Sequence, residues 1–306
     1  FDWFTALQQQ GLLSPAIEWP SEDVLSTAMA DFKQSQKHTG TAMTTITQKP
    51  ENPTGYLKDI EAALYMGLID DVFGGHKVLS GKRLQIMLNW IEVLTHTYPK
   101  KEMRERLYQL STLLSRKYEW RSKEYQAQIQ AWGAKEPTHP ESYDWCASSG
   151  GHESGTGGYP CALWLLFHTI LANSDTSHAH LTLQIIHQWI QNFYGCVECA
   201  AHFNEEWEDL RGEDAIGHMS TSLWLWRAHN MVRERLTEED EDFEPKLQWP
   251  SVDQCEQCYT PTGRSSPITD RWDLSQWDEH SVFPFLQETF CQGSDTFVCA
   301  GFVDGQ

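Results

Sequence analysis

From Pro53 onward the apolar positions recur with a helical period. Leu57, Ile60, Ala63, Leu64 and Leu68 share one helix face, Leu84, Met87, Leu88, Ile91 and Leu94 a second, and Leu107, Leu110, Leu113 and Leu114 a third. Beyond a Gly-rich stretch from Ala147 to Tyr159, four further segments, about 160–172, 178–194, 196–210 and 219–236, repeat the same 3.6-residue period. No alternating strand pattern recurs, so the sequence predicts an all-α protein and removes doubly wound and sandwich folds. Residues 1–52, with Pro15, Pro20 and a polar run from Ser35 to Pro50, read as a linker and the remnant of an upstream module. The acidic run 238–244 reads as a solvated loop.

The 306 residues suffice for about two domains, and charge divides them unevenly. Up to Lys135 there are 16 cations and 15 anions; beyond it there are 7 and 28, together with all eight cysteines. A surface this acidic repels phosphates, which disfavours nucleic acid as a partner. The longest apolar run, Cys161 to Ala172, contains His168 and falls far short of the ~20 residues of a spanning helix, so no membrane segment is expected. An even number of cysteines, largely in close pairs, points to an oxidising compartment, although no glycosylation sequon adds support.

Cys196-Val-Glu-Cys199 follows Gly195, where one periodic helix ends, and opens the next. A helix N-terminus favours the thiolate, the species that attacks disulfides. A CxxC bridge closes too small a ring to staple a fold well but suits exchange. The competing reading joins this pair with Cys255-Glu-Gln-Cys258 in a zinc site, at a separation longer than compact zinc modules use. Nearby helices display matching chemistry: Trp164 and His168 at i and i+4, Trp226, His229, Asn230 and Arg233 at i, i+3, i+4 and i+7, and Cys199 and His202 at i and i+3. One such stripe is ordinary core. Three together suit a flat, polar-edged ring beside a thiol pair, as a flavin would be. Cys146 and Cys161 could staple the Gly-rich loop between them, and Cys291 and Cys299 form either a short bridge or two free thiols. Gly155-Thr-Gly-Gly158 lacks the leading strand of a dinucleotide fingerprint, and the hydrolase and phosphate-loop motifs are absent.

Four ordered motifs carry a resemblance: Tyr159-Pro-Cys161-Ala-Leu-Trp164-Leu-Leu-Phe-His168, Phe193-Tyr-Gly-Cys196-Val-Glu-Cys199-Ala-Ala-His202-Phe203, Leu223-Trp-Leu-Trp226-Arg-Ala-His229-Asn230-Met-Val-Arg233, and Pro245-Lys246-Leu-Gln-Trp249-Pro250. They resemble the Erv-type flavin domain of quiescin sulfhydryl oxidases, and the likeness extends over about Pro53 to Phe290. It implies an Erv-type four-helix bundle with a short fifth helix at 136–290, packed on a helix-rich, redox-inactive Erv-like module at 53–135, with a tail at 291–306. It further implies FAD as cofactor, thiol substrates oxidised to disulfides, and oxygen reduced to hydrogen peroxide. Cys199 would be the flavin-proximal sulfur and Cys196 the interchange sulfur. Trp164, His168, Glu198, His202, Trp226, His229, Asn230, Lys246 and Trp249 match cofactor-lining positions. Cys255 and Cys258 match an additional CxxC, read as structural or auxiliary. Two departures stand out, Gly157 where relatives carry Arg and Arg233 where they carry Asn, so Arg233 is expected to take over part of the FAD diphosphate contact.

Full-length members of that family carry thioredoxin-like modules that deliver electrons. No thioredoxin-type CxxC precedes residue 146 here, so small dithiols are expected to be better substrates than folded proteins. The family likeness also implies a monomer and a secretory-pathway (Golgi or ER) or extracellular location. The alternative class is a zinc- or disulfide-stapled helical interaction module without catalysis.

Overall fold

The computed structural model describes residues 53–134, 146, 158–239, 248–265 and 272–303. The expectations placed on residues 1–52, on Gly157 and on Lys246 lie outside these. Four helices come first: α1 (Pro53–Ile69), α2 (Gly81–Thr97), α3 (Lys101–Leu114) and α4 (Ser122–Trp132). Next come α5 (Tyr159–Ala172), α6 (Ala179–Phe193), α7 (Val197–Asp209) and α8 (His218–Glu239), then α9 (Pro261–Ser265), α10 (Glu279–Phe290) and α11 (Phe297–Val303). The four periodic segments after the Gly-rich stretch coincide with α5 to α8 to within a few residues, and the protein is all-α in class.

Two features depart from the periodic pattern. Val78–Ser80 and Glu119–Arg121 pair antiparallel, with Leu79 opposite Trp120. Three residues are too few to show alternation, and the pairing instead follows from burial of Leu79 and Trp120, whose indole donates to the Leu114 carbonyl at 2.9 Å. Helix α4 also escapes the pattern, because it buries only Tyr125 and Ile129 on an otherwise polar surface.

Helix α5 lies at the centre. It is apolar on nearly every side, with nine residues buried between Ala162 and Ala172, so it must be enclosed rather than laid on a surface. Helix α1 covers one side of it and α6, α8 and α10 the others, while α2 packs against both α3 and α6. The first four helices therefore meet the later ones along two seams. At their junction Trp90 of α2, Phe167 of α5 and Trp189 of α6 form an aromatic cluster, with ring centroids 5.4 Å apart for Trp90 and Trp189 and 6.0 Å for Phe167 to either indole. Such tilted and edge-on pairs add to the burial of large rings. Helix α1 approaches so closely that a Cβ on Gly67 would stand 2.9 Å from the Trp189 ring.

Four disulfides are formed: Cys146–Cys161, Cys196–Cys199, Cys255–Cys258 and Cys291–Cys299. The first anchors residue 146 to the start of α5, and the Cys146 amide donates to the buried Asp59 carboxylate of α1 at 2.8 Å. The last closes the α10–α11 turn, from which Asp295 reaches back to Arg104 of α3 at 2.8 Å. No helix among the described residues is long and apolar enough to cross a membrane.

The Gly67 and Trp189 contact makes a specific energetic statement. Trp189→Ala should cost about 3–5 kcal/mol and Gly67→Ala about 1–3 kcal/mol through overpacking. In the double variant the new methyl enters the vacated space, so chemical denaturation should show a combined cost smaller than the sum.

Candidate active site

Helix α7 begins at the cysteine pair. Cys196 is its N-cap, and its sulfur accepts from the Cys199 amide at 3.2 Å. The pair is bridged, with Cα atoms 5.2 Å apart. Val197 and Glu198, between the two sulfurs, are exposed, so the bridge sits at a surface that a thiol can reach. The aligned amides of the first turn favour negative charge there, which lowers the cost of expelling a thiolate from the bridge.

One turn beyond Cys199, Phe203 turns inward and meets Trp164 of α5, 6.1 Å between centroids. Trp164 in turn lies face to face with His229 of α8, 4.2 Å apart and within 2° of parallel. His168, one turn along α5, places Nε2 3.2 Å from Nδ1 of His229 and stacks on Phe290 of α10 at 4.7 Å. Trp249 closes the group, 6.2 Å from His168 and 6.0 Å from Phe290. Three helices and one loop thus supply a ring cluster that continues from the cysteine helix, with two parallel pairs, Trp164–His229 and His168–Phe290, and tilted contacts between them.

Trp226 and Asn230 take part through the backbone of Trp249. The Trp226 indole and the Asn230 amide both donate to the Trp249 carbonyl at 2.8 Å, and the Trp249 amide donates to Asn230 Oδ1 at 2.8 Å. Both side chains are buried, so this pairing satisfies their polar atoms while fixing the Trp249 ring. His202 lies on the outer side of α7, where Nδ1 approaches Glu205 at 3.3 Å and Nε2 approaches Glu198 at 4.0 Å. Arg233 is one turn beyond His229 and partly buried; desolvation pulls its guanidinium below its usual range.

Burial also sets the protonation of the histidine pair. His168 is pushed down to about 3, and His229 is held well below its usual value by burial and then by His168 and Arg233. Both rings are therefore neutral near pH 7, each with one N–H to donate and one nitrogen to accept. Neutral imidazoles, flat aromatic faces and one guanidinium on the same helix suit a ring with amide-like edges carrying a diphosphate. The donor set therefore fits a flavin dinucleotide.

Cys255 and Cys258 bridge to each other among buried residues, with Tyr259 and Trp277 packed beside them. Each CxxC closes on itself, and among the described residues no cluster of His, Cys, Asp and Glu could hold a metal ion. Phe203 and Phe290 escaped the sequence reading. Phe203 could have been found from its i+4 spacing to Cys199, whereas nothing in local spacing connects Phe290 to His168.

The chain is similar to known proteins over the segment that holds these residues. The Erv1 / Alr family model matches residues 161–253, the segment that runs from the start of α5 past Trp249. Sulfhydryl oxidase 2 of Mus musculus is 29% identical over 280 residues, 81% of this chain and 36% of that protein. Sulfhydryl oxidase 1 of Gallus gallus is 30% identical over 254 residues, 78% of this chain and 32% of that protein. The chain thus spans about a third of the length of these relatives. The solved structure of the Sulfhydryl Oxidase Fragment of Human QSOX1 superposes with a TM-score of 0.63 at 27% identity, covering 77% of this chain and 94% of that one. Residues 161–253 thus match the Erv1 / Alr family model, within a chain that is similar over more than three quarters of its length to sulfhydryl oxidases.

Proposed function

We propose that the protein is an FAD-dependent thiol oxidase that forms disulfides from dithiols and delivers the electrons to oxygen, giving hydrogen peroxide. The observation that carries this reading is the half-buried Cys196–Cys199 bridge, flanking the exposed Val197 and Glu198 at the start of α7 and joined through Phe203 to the Trp164–His229 stack. A substrate thiolate attacks the Cys196 sulfur; the bond to Cys199 breaks, and its electron pair leaves on the Cys199 thiolate. The second substrate thiolate then attacks the substrate sulfur of the mixed disulfide, releasing the oxidised substrate and the Cys196 thiolate. FAD, held by Trp164, His168, His229 and Arg233, would supply the two-electron acceptor needed to restore the bridge and the route from there to oxygen.

The chain's residues divide the remaining work. Trp164 and His229 offer flat faces to the flavin ring, His168 stays neutral and holds its hydrogen-bonding edge, and Trp226 and Asn230 hold Trp249 in place. Arg233 and Lys246 supply positive charge for the diphosphate, with Glu198 and His202 at the outer rim near the cysteines. Residues 53–135 act as a redox-inactive Erv-like partner and 136–290 as the flavin module, an arrangement within one chain that suits a monomer. The chain's only CxxC pairs are 196/199 and 255/258. Without a further relay pair within these 306 residues, this segment taken alone favours small dithiols over folded protein thiols. The bridged cysteines fit a secretory or extracellular setting. The zinc-module alternative loses ground because both CxxC pairs are consumed as disulfides.

Purified protein should show a flavin absorbance band and consume oxygen with dithiothreitol. Cys199→Ser should retain the band and lose turnover by at least ~100-fold, whereas a Cys255→Ala, Cys258→Ala double variant should keep most of it. A colourless, inert wild-type protein would overturn the reading. Arg233→Ala should weaken FAD retention several-fold at low salt, an effect that added salt reduces.

The neutral histidine pair sets a pH window. The unfolded chain takes up protons at these positions below about pH 6.5, while the folded protein resists until about pH 3 for His168. Their contribution to stability is therefore complete above pH 6.5 and lost as pH falls through this range, by a few kcal/mol. Urea denaturation across pH 7 to 4 should show the fall, and His168→Gln should flatten it.

A further inference from the structure

The cysteine pair is delivered by a short turn, Tyr194-Gly195, between the last residue of α6 and the cap of α7. Both ends of that turn are held by side chains from the first group of helices. At its far end, the Gly195 amide donates to the carboxylate of Asp71, which lies in a single helical turn just after α1. The contact is close: a Cβ on Gly195 would stand 3.2 Å from Asp71 Oδ1. The Tyr159 hydroxyl, from the first turn of α5, donates to the second oxygen, Oδ2. At the near end, Arg83 of α2 donates to the Asn192 carbonyl in the last turn of α6 at 3.2 Å and to the Val72 carbonyl at 2.8 Å. Its guanidinium lies 5.0 Å from the Phe193 ring centroid, a cation at the carbonyl end of a helix.

Asp71 is an unusual choice for this place. It is only 8% exposed, and burying a carboxylate is costly unless its charge is met by donors. Burial raises it to about 6, against the opposing pull of the Tyr159 and Gly195 donors, with Asp70 adding a smaller upward push. A carboxyl in this position can accept from two donors on two different elements at once, which a hydrophobic residue of similar size cannot do.

We propose that Asp71, supported by Arg83 and Tyr159, is a positioning residue that sets where the Cys196 sulfur stands. The helices lacking cysteines would then contribute to the reaction by fixing the backbone one residue before the attacked sulfur. This rests on the thiol-oxidase reading, since it assigns Cys196 as the sulfur attacked by substrate. A misplacement of about 1 Å at a reacting centre is enough for a large loss in rate.

The test follows opening of the Cys196–Cys199 bridge by dithiothreitol without oxygen, quenched with an alkylating reagent and read by mass spectrometry on the full flavin-loaded chain. Asp71→Ala should slow opening at least tenfold while the melting temperature and the opening of the buried Cys255–Cys258 bridge stay at wild-type values. Asp71→Asn keeps an acceptor for the Gly195 amide and a donor toward Tyr159, so it should restore the rate to within about threefold. Should Asp71→Ala fail to fold, Gly195→Ala takes its place, because its methyl displaces the carboxylate from an exposed turn; several-fold slower opening is expected. Wild-type opening in Asp71→Ala, or in Gly195→Ala where that variant stands in, would overturn the proposal. So would equal slowing in Asp71→Ala and Asp71→Asn accompanied by a lowered melting temperature. Loss of the functional reading is seen separately, as a wild-type protein that binds no flavin and oxidises no dithiol.

Discussion

Enclosure of α5 is the constraint on which the arrangement depends. A helix whose residues are apolar around nearly its whole circumference cannot lie against one partner and leave the other side in water. Helix α1 covers the side that α6, α8 and α10 leave open, so the earlier helices complete a core that the later ones could not close alone. The same helix carries Trp164 and His168, which means that the rings of the candidate site are fixed by the packing that joins the two halves. Removing the first group of helices would expose Phe167 and Thr169, whose hydroxyl meets that of Tyr56, and with them the back of the site.

Much of this was legible in the sequence because helices announce themselves locally. The apolar period located α1 to α3 and α5 to α8, and the i to i+7 set on α8 put Trp226, His229, Asn230 and Arg233 on one face. What periodicity could not give was the division of labour within that face. Trp226 and Asn230 fix the Trp249 backbone, while His229 stacks on Trp164. That distinction depends on a loop entering from twenty residues downstream, and no local rule encodes it. His202 is similar: its i+3 spacing from Cys199 is real, yet the helix turns it toward Glu205 and Glu198 at the surface.

Asp71, Arg83 and Phe290 were invisible for a related reason. Their neighbours, Gly195, Asn192 and His168, lie more than a hundred residues away in sequence, so only the assembled fold brings them together. The charge imbalance, by contrast, was a true regional signal. The near-neutral first part and the acidic second part correspond to helices in contact along two seams, and cations from the former, Arg83 and Arg104, meet carbonyls and carboxylates of the latter.

The return of the chain from α10 to α3 has a mechanical consequence. Asp295 donates its amide to the Pro99 carbonyl at 2.9 Å and pairs with Arg104, on a turn locked by Cys291–Cys299. Near residue 146 a second tie is formed, by the Cys146–Cys161 bridge together with the hydrogen bond to Asp59. The two halves are thus clasped near the beginning and near the end of the later one. A single backbone cut between 135 and 145 would leave two polypeptides still gripping each other, much as a buckled strap holds after one stitch is severed.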